Sequence, residues 1–468
     1  MRNSINKSRR NLIKALACLP VAPGVSMLSS GSAQAMSCSP AGKSLVCIFL
    51  AGGADSFNMF VPGSSQDLLD YQDVRGELAV DEGDLIEVTD PTLGTFGFNQ
   101  QLDSLARLYQ ENRLAVVSNT GTLIRPTTKS DFLAQIALPE SLFAHNTQQK
   151  LWQTGAGIVS GSNAFGWGSA ISDHAASCNG NVNLAPGFSI AGSSSWLDSE
   201  TSNYITLNGS TNVELMFGYA DYSEWIPQSR LNRIRGSLQA LIGEAEQSSN
   251  PQMVRELAHS LDNAQNATTT LHRILRDTPL SQMEYDGLNR FAGQLHMVAR
   301  LIAVREQLGM QQQVFFVQMG GWDTHADQNQ RLPALFNTFN EGINAFQNVI
   351  DDIGQSSTVT AFTASDFGRT LTSNGNGTDH GWGGHNFVFG DAVAGGRVYG
   401  TMPSYTDTNN PDDAGDNNGA FAGRIIPTIS VSQYGATLAR WMGVDESRLA
   451  AALPDLNNFS EQDLGFFL

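Results

Sequence analysis

An α/β protein built on a parallel sheet is what this sequence predicts, and three observations predict it. The run Leu45-Val46-Cys47-Ile48-Phe49-Leu50 is short, continuous and apolar, and Gly52-Gly53 stops it, as expected of a buried strand that ends in a functional loop. Residues 102–109 carry a helical pattern and lead into a second buried run, Leu114-Ala115-Val116-Val117-Ser118-Asn119; strand, helix, strand in that order favours parallel pairing. Two later runs, Val314-Phe315-Phe316-Val317 and Val359-Thr360-Ala361-Phe362-Thr363, each end in a loop rich in Gly and Asp, and Phe387-Val388-Phe389 ends at Gly390.

Composition sets the outer limits. With 41% hydrophobic and 15% charged residues over 468 positions, the chain has ample core, which excludes wholesale disorder and a disulfide-framework miniprotein. The length suits two or three domains, or one large α/β domain with insertions. The 45 acidic against 27 basic side chains give a net charge of −18, so bulk electrostatics will not hold the protein on nucleic acid or on an anionic membrane.

The charge is unevenly spread. Residues 1–35 contain Arg2, Lys7, Arg9, Arg10 and Lys14 and no acidic residue, followed by the apolar run Ala15 to Ala22 and by Ala33-Gln34-Ala35, a small-x-small cleavage pattern. Ser8-Arg9-Arg10-Asn11-Leu12-Ile13-Lys14 resembles the twin-arginine export signal, which implies a twin-arginine translocase as transient partner and a periplasmic or extracellular destination. Pro20, Pro23 and Gly24 interrupt the apolar run, so no stable membrane insertion is expected after cleavage. The mature chain, 36–468, then carries 22 basic and 45 acidic residues, a net −23. It keeps Cys38, Cys47 and Cys178. Cys47 reads as a core thiol, and Cys38 with Cys178 is a candidate disulfide that sequence spacing alone does not decide.

Within the mature chain, residues 120–225 are rich in Gly, Ser, Asn and Trp without sustained periodicity and read as a loop-rich insertion. A helical segment follows over 226–310. Leu231, Ile234, Leu238, Leu241 and Ile242 share one face, and a second long helix over 282–308 carries Leu288, Phe291, Leu295, Val298, Leu301 and Ile302 at three and four spacing. Residues 425–443 read as a loop and a helix that close the domain.

Ligand groups in open α/β sheets gather beyond the carboxyl ends of the strands, so the Asp55, Asp323 and Asp366 loops are expected to converge. Of eight histidines, His259, His272 and His296 lie in helical stretches, whereas His325, His380 and His385 lie in loops near strand ends. Asp323-Thr324-His325 places a carboxylate and an imidazole on one side of an extended segment, and Asp379-His380 supplies another such pair. Carboxylate oxygens mixed with imidazoles suit a divalent metal, Zn²⁺ or Mn²⁺ before Ca²⁺ or Mg²⁺. The acidic loop 407–419 lacks the ordered spacing of a calcium loop.

The leader, Leu50-Ala51-Gly52-Gly53-Ala54-Asp55-Ser56-Phe57-Asn58 with Val61-Pro62, Gly321-Trp322-Asp323-Thr324-His325, Ser365-Asp366-Phe367-Gly368-Arg369-Thr370, Gly377-Thr378-Asp379-His380-Gly381 and Gly395-Gly396-Arg397-Val398-Tyr399-Gly400 together resemble the exported bacterial family called domain of unknown function 1501. The resemblance runs in order to Asp463-Leu464-Gly465-Phe466. That family is similar to the alkaline-phosphatase-like superfamily of phosphatases, sulfatases and cofactor-independent phosphoglycerate mutases. The resemblance implies a doubly wound, mostly parallel sheet with helices on both faces, one or two divalent metals and a hydroxyl nucleophile.

Residue by residue, it implies Asp55 as the first-strand metal carboxylate, Asp323 and His325 as ligands of one site with His380 as its late histidine, and Asp366 as the carboxylate of a second. Phe367 stands where the superfamily ordinarily has a histidine, and Asp-x-His replaces a longer Asp-x-x-x-His. Ser130 lies in the nucleophile's stretch, at a helix start where capping is the alternative role, and Ser56 adjoins Asp55. Arg369 is the expected clamp on an anionic group and His385 a further ligand, a general acid or a packing residue beside Trp382. The function so implied is metal-dependent hydrolysis or transfer on a phosphate or sulfate ester; the alternative is a non-catalytic exported protein that binds a partner or surface polymer.

Overall fold

The computed structural model describes residues 38, 42–63, 66–157, 165–180, 184–200, 203–209, 226–277, 289–406, 409–415 and 422–468. The expected leader, the start of the helix expected over 282–308 and parts of the 120–225 insertion and the acidic loop lie outside them. Among the described residues no helix is long and apolar enough to cross a membrane.

The strands in chain order are β1 (Lys43–Leu50), β2 (Phe60–Pro62), β3 (Leu85–Asp90), β4 (Gly94–Asn99), β5 (Leu114–Gly121), β6 (Gly187–Ser189), β7 (Ile205–Thr206), β8 (Gln312–Met319), β9 (Val359–Ser365), β10 (Arg369–Ser373), β11 (Thr378–His380), β12 (Gly384–Phe389), β13 (Arg397–Tyr399) and β14 (Ile429–Ser430). Nine of them form the main sheet in the order β13-β5-β12-β9-β1-β8-β6-β7, with β14 also paired to β5. The β1–β8, β1–β9, β6–β8, β13–β5 and β14–β5 pairings are parallel; β12 runs antiparallel to both neighbours, β5 and β9. The sheet is therefore mostly parallel, as expected, with one reversed strand. A short apolar run such as Phe387-Val388-Phe389 carries no mark of direction, so the carboxyl end of β12 does not join those of β1, β8 and β9.

Helices cover both faces because β1 is apolar on both. Val46, Ile48 and Leu50 belong to one core, packed with Leu105, Leu295, Phe339 and Ile343 from the helices Asp103–Gln110, Arg290–Ala303 and Gln328–Asp352. Leu45, Cys47 and Phe49 point the other way, into a core with Trp152, Trp167, Ile171 and Leu438 from the helices His145–Thr154, Trp167–Cys178 and Val431–Met442. The period-two alternation of a strand divides one apolar run between two layers. The segment 120–225 is less loop-like than its composition suggests: it contributes two of these helices, each anchored by a buried Trp that sequence periodicity does not reveal. The segment 228–277 forms two helices, Gln228–Ala245 and Gln252–Asp277, and Leu241 is exposed although it shares the expected apolar stripe.

Register brings the functional loops together. Leu50 pairs with Met319 on one side and Ser365 on the other, so three adjacent parallel strands end at one level. Gly52 and Gly53 then turn the chain with φ of 119° and 80°, and a Cβ on Gly52 would sit 2.5 Å from the Asp323 nitrogen. Only glycine tolerates both the angle and the approach.

Cys38 and Cys178 form a disulfide, with Cα atoms 5.5 Å apart and a sequence separation of 140, while Cys47 is a buried free thiol. Closing so long a loop removes entropy from the unfolded chain. Replacing both Cys38 and Cys178 by Ser should cost about 2–4 kcal/mol in urea unfolding; an unchanged midpoint would reject a stabilising role for the bond.

Candidate metal centre

Four side chains from three separate segments meet beyond the ends of β8 and β9. Asp323 and His325 follow β8; His380 ends β11, where it pairs in register with Arg369 of β10. His145 comes from the first turn of the helix His145–Thr154. The Asp323 Oδ1 atom lies 3.1 Å from His325 Nε2, 3.5 Å from His380 Nε2 and 3.6 Å from His145 Nε2. The ligand atoms of His145, Asp323 and His380 all fall within 4.8 Å of one another. His325 Nε2 lies 2.8 Å from His380 Nε2 and so adjoins two members of that group.

Each imidazole is held by its other nitrogen. His145 Nδ1 donates to Asp366 Oδ2 at 2.6 Å, His380 Nδ1 to the Phe143 carbonyl at 2.6 Å, and His325 Nδ1 to Asp379 Oδ1 at 3.1 Å. A carboxylate or carbonyl only accepts, so the proton sits on Nδ1 and a lone pair on Nε2 faces Asp323. This outer ring of acceptors is the usual means of orienting histidine ligands.

The donor set fits a divalent ion. With metal–nitrogen bonds of about 2.0–2.1 Å, neighbouring donors of a tetrahedral site are separated by roughly 3.3 Å, close to the observed spacings. The His145 Nε2 atom is buried without a hydrogen-bond partner, a costly state that a metal bond would relieve.

Charge is tuned around the cluster. Burial opposes ionisation of Asp323, but the hydrogen bond and charge of Arg369, with His325 and His145 nearby, hold its carboxyl below the ordinary range. The bond to Asp366 raises the pKa of His145 against the effect of burial. Burial lowers that of His380, the Phe143 carbonyl opposing and neighbouring cations adding to the fall, which favours the neutral form that binds metal.

The structure brings Asp323, His325 and His380 together as one cluster and adds His145, which the sequence reading passed over. Asp366 lies behind the cluster: its carboxylate takes His145 Nδ1, Gln149 Nε2 at 2.9 Å and the Gly52 amide at 3.1 Å. Asp55 is elsewhere. It is fully buried, and its Oδ2 accepts from the Arg75 guanidinium and from Gln328 Nε2 at 2.6 Å. The spacing of Asp55 from its strand is what a ligand would have, but a buried arginine has taken its charge.

Arg369 is also fully buried. It donates to Asp323 Oδ1 at 2.9 Å, to Thr378 Oγ1 at 3.0 Å and to the Thr378 carbonyl, so it holds a cluster member and does not face solvent as a clamp. Ser130 is exposed on the short helix Lys129–Leu133, its hydroxyl 2.9 Å from that of Thr128, which is the residue that caps the helix in a box with Asp131. Ser56 is spent as acceptor from the His385 amide at 2.7 Å.

His385 packs edge-on against Phe57 at 5.1 Å, while Trp382 packs with Phe132. Its Nδ1 accepts from the Asn119 amide at 3.3 Å, and burial pushes its pKa down to about 3, which makes it a neutral core residue. In the acidic loop, Asp412 accepts from the Ser404 amide and buried Asp413 from the Gly415 and Gly423 amides, so both close turns.

A sequence model of the family described as "Protein of unknown function (DUF1501)" matches residues 42–416. No curated protein matches the chain. Among solved structures, Ps i-CgsB shares 11% identity at a TM-score of 0.36, covering 87% of this chain and 74% of that one. The PsFucS1 sulfatase from Pseudoalteromonas sp. shares 8% at 0.31, covering 78% and 66%. A TAB5 alkaline phosphatase mutant with Mg bound in its M3 site shares 9% at 0.29, covering 88% and 98%. At such scores the chemistry has to be argued from this chain's own residues.

Two outcomes follow from these placements. Asp55→Asn leaves Arg75 as an uncompensated buried charge and should cost about 3–5 kcal/mol of stability, measured by urea unfolding, while the folded variant still binds metal; loss of metal with stability intact would make Asp55 a ligand. His385 has its pKa lowered from 6.5 to about 3, so protons bind the unfolded chain first and stability is lost as pH falls through that window. The slope approaches about 1.4 kcal/mol per pH unit. His385→Gln should flatten the pH dependence of the urea midpoint there, and parallel curves would reject the assignment.

Proposed function

The chain belongs to the DUF1501 family, and on that premise we propose that it is an exported metal-dependent hydrolase or transferase acting on phosphate or sulfate esters. The observation that carries the reading is the set of three imidazoles anchored through Nδ1, each turning Nε2 toward Asp323 Oδ1. His145, Asp323 and His380 would hold a divalent ion, Zn²⁺ or Mn²⁺ by their chemistry, with His325 as the adjoining fourth donor. Such an ion supplies Lewis-acid polarisation of an ester oxygen and lowers the pKa of water.

The protein's own part is to orient and to balance charge. Asp366, the Phe143 carbonyl and Asp379 fix the imidazole tautomers. Arg369 keeps Asp323 ionised and in place from below. The Asp323 and His325 side chains are 45% and 43% exposed, so the centre lies open to a large ester. Acidic residues dominate the chain, which repels an anionic substrate at long range and leaves attraction to the local centre. Nucleic acid is excluded as a partner on the same ground. The leader and the Cys38–Cys178 disulfide support export through the twin-arginine translocase to the periplasm or beyond, with cleavage after residue 35 leaving 36–468 as the working domain.

The second reading, a non-catalytic exported protein that binds a partner or polymer, draws on one observation: Arg369, the expected anion clamp, is turned inward. Activity separates the two. Metal-loaded protein should cleave members of a panel of aryl phosphate and sulfate esters, and His145→Ala or His380→Ala should lower the rate at least about 100-fold. Metal bound without turnover of any ester would favour the binding protein.

A further inference from the structure

We propose that the centre takes a single divalent ion, because the second cation demanded by its buried carboxylates is built into the chain as the guanidinium of Arg75. This rests on the metal-centre reading above and sharpens it.

Beneath the cluster, Asp55 and Asp366 are buried, and carboxylates so placed must be compensated by cations or hydrogen-bond donors. The fully buried guanidinium of Arg75 pairs with Asp55, Asp366 is met by hydrogen-bond donors, and Arg369 is committed to Asp323. Arg75 sits in a cage of oxygens of the kind that holds a hard cation: Asp55 Oδ2, Asn58 Oδ1 at 2.6 Å, the Thr370 carbonyl at 2.9 Å and the Leu371 carbonyl at 3.3 Å. Asp55 keeps one buried oxygen, Oδ1, without a hydrogen-bond partner, and a lone oxygen is too few donors for an ion.

Asp366 offers no alternative. Three donors already converge on it, from His145, Gln149 and Gly52. The ring of Phe367, 5% exposed, fills the adjoining space at 4.8 Å from the His145 ring and 4.7 Å from the His380 ring. A Cβ on Gly53 would meet that ring at 2.6 Å, so the packing there is already closed. Asp55 is thus neutralised by Arg75 and Asp366 is satisfied by its three donors, so the demand for an ion is confined to the cluster at Asp323.

The test is the metal stoichiometry of the exported protein, stripped with a chelator, titrated with Zn²⁺ by calorimetry and assayed by elemental analysis after dialysis. One ion per chain, lost in His380→Ala with the fold intact by circular dichroism, is the expected result. Two ions per chain would overturn the proposal and leave the metal-centre reading standing. One ion retained in His380→Ala, or no ion at all, would overturn the reading and the proposal with it. In a second arm, Arg75→Ala should lose thermal stability and recover part of it in millimolar guanidinium; a folded variant with no recovery rejects Arg75 as the resident cation. Should that variant not fold, the stoichiometry of the parent decides.

Discussion

The buried ion pair between Arg75 and Asp55 is the constraint that anchors the fold beneath the site. Asp55 also takes a hydrogen bond from Gln328, whose Oε1 accepts from Thr378 at 2.6 Å; Thr378 Oγ1 accepts from Arg369 Nε, and Arg369 reaches Asp323. A chain of polar contacts therefore runs from the floor of the molecule to the one carboxylate that three imidazoles face. Buried polar contacts of this kind rigidify the elements that carry them, so those elements are positioned as a set. The chain of contacts draws the β1 loop together with the start of the helix Gln328–Asp352, where Gln328 lies 273 positions beyond Asp55, and with the hairpin of β10 and β11.

The cluster separates binding from support. Asp323, His325, His380 and His145 present their donor atoms to a common space, while Asp366, Asp379 and the Phe143 carbonyl stand one bond further out. A carboxylate at a strand end therefore takes one of three roles: facing the imidazoles, orienting one of them or neutralising an arginine. Asp323, Asp366 and Asp55 fill them in that order, and their burial sorts them, since Asp323 alone is exposed to solvent.

Much of this was legible beforehand. The apolar runs at 43–50, 114–119, 314–317 and 359–363 are strands because continuous β-branched and aromatic stretches bounded by Gly have few other solutions. The pairing of Asp323 with His325 followed from the period of an extended segment. What sequence could not give was partnership across distance. His145 has no carboxylate or imidazole neighbour in sequence and sits in a stretch whose composition suggests loops; only its position at a helix start, bonded to Asp366 just past β9, brings it into the cluster. Asp55 looks like a ligand because nothing local announces that Arg75, twenty residues on, will be buried beside it. The reversed β12 was hidden for a related reason: direction depends on connections, and a six-residue strand does not record them.

The Cys38–Cys178 bond has a mechanical consequence. It lies ahead of β1, the strand at the middle of the sheet, and ties the start of the chain to the end of the helix Trp167–Cys178. A pull applied to anything upstream of Cys38 is shunted through sulfur to that helix and bypasses the central strand. The load path into the sheet is thus set by a covalent strap, and β1, from which the Gly52-Gly53 turn and Asp55 hang, is shielded from force at its own end.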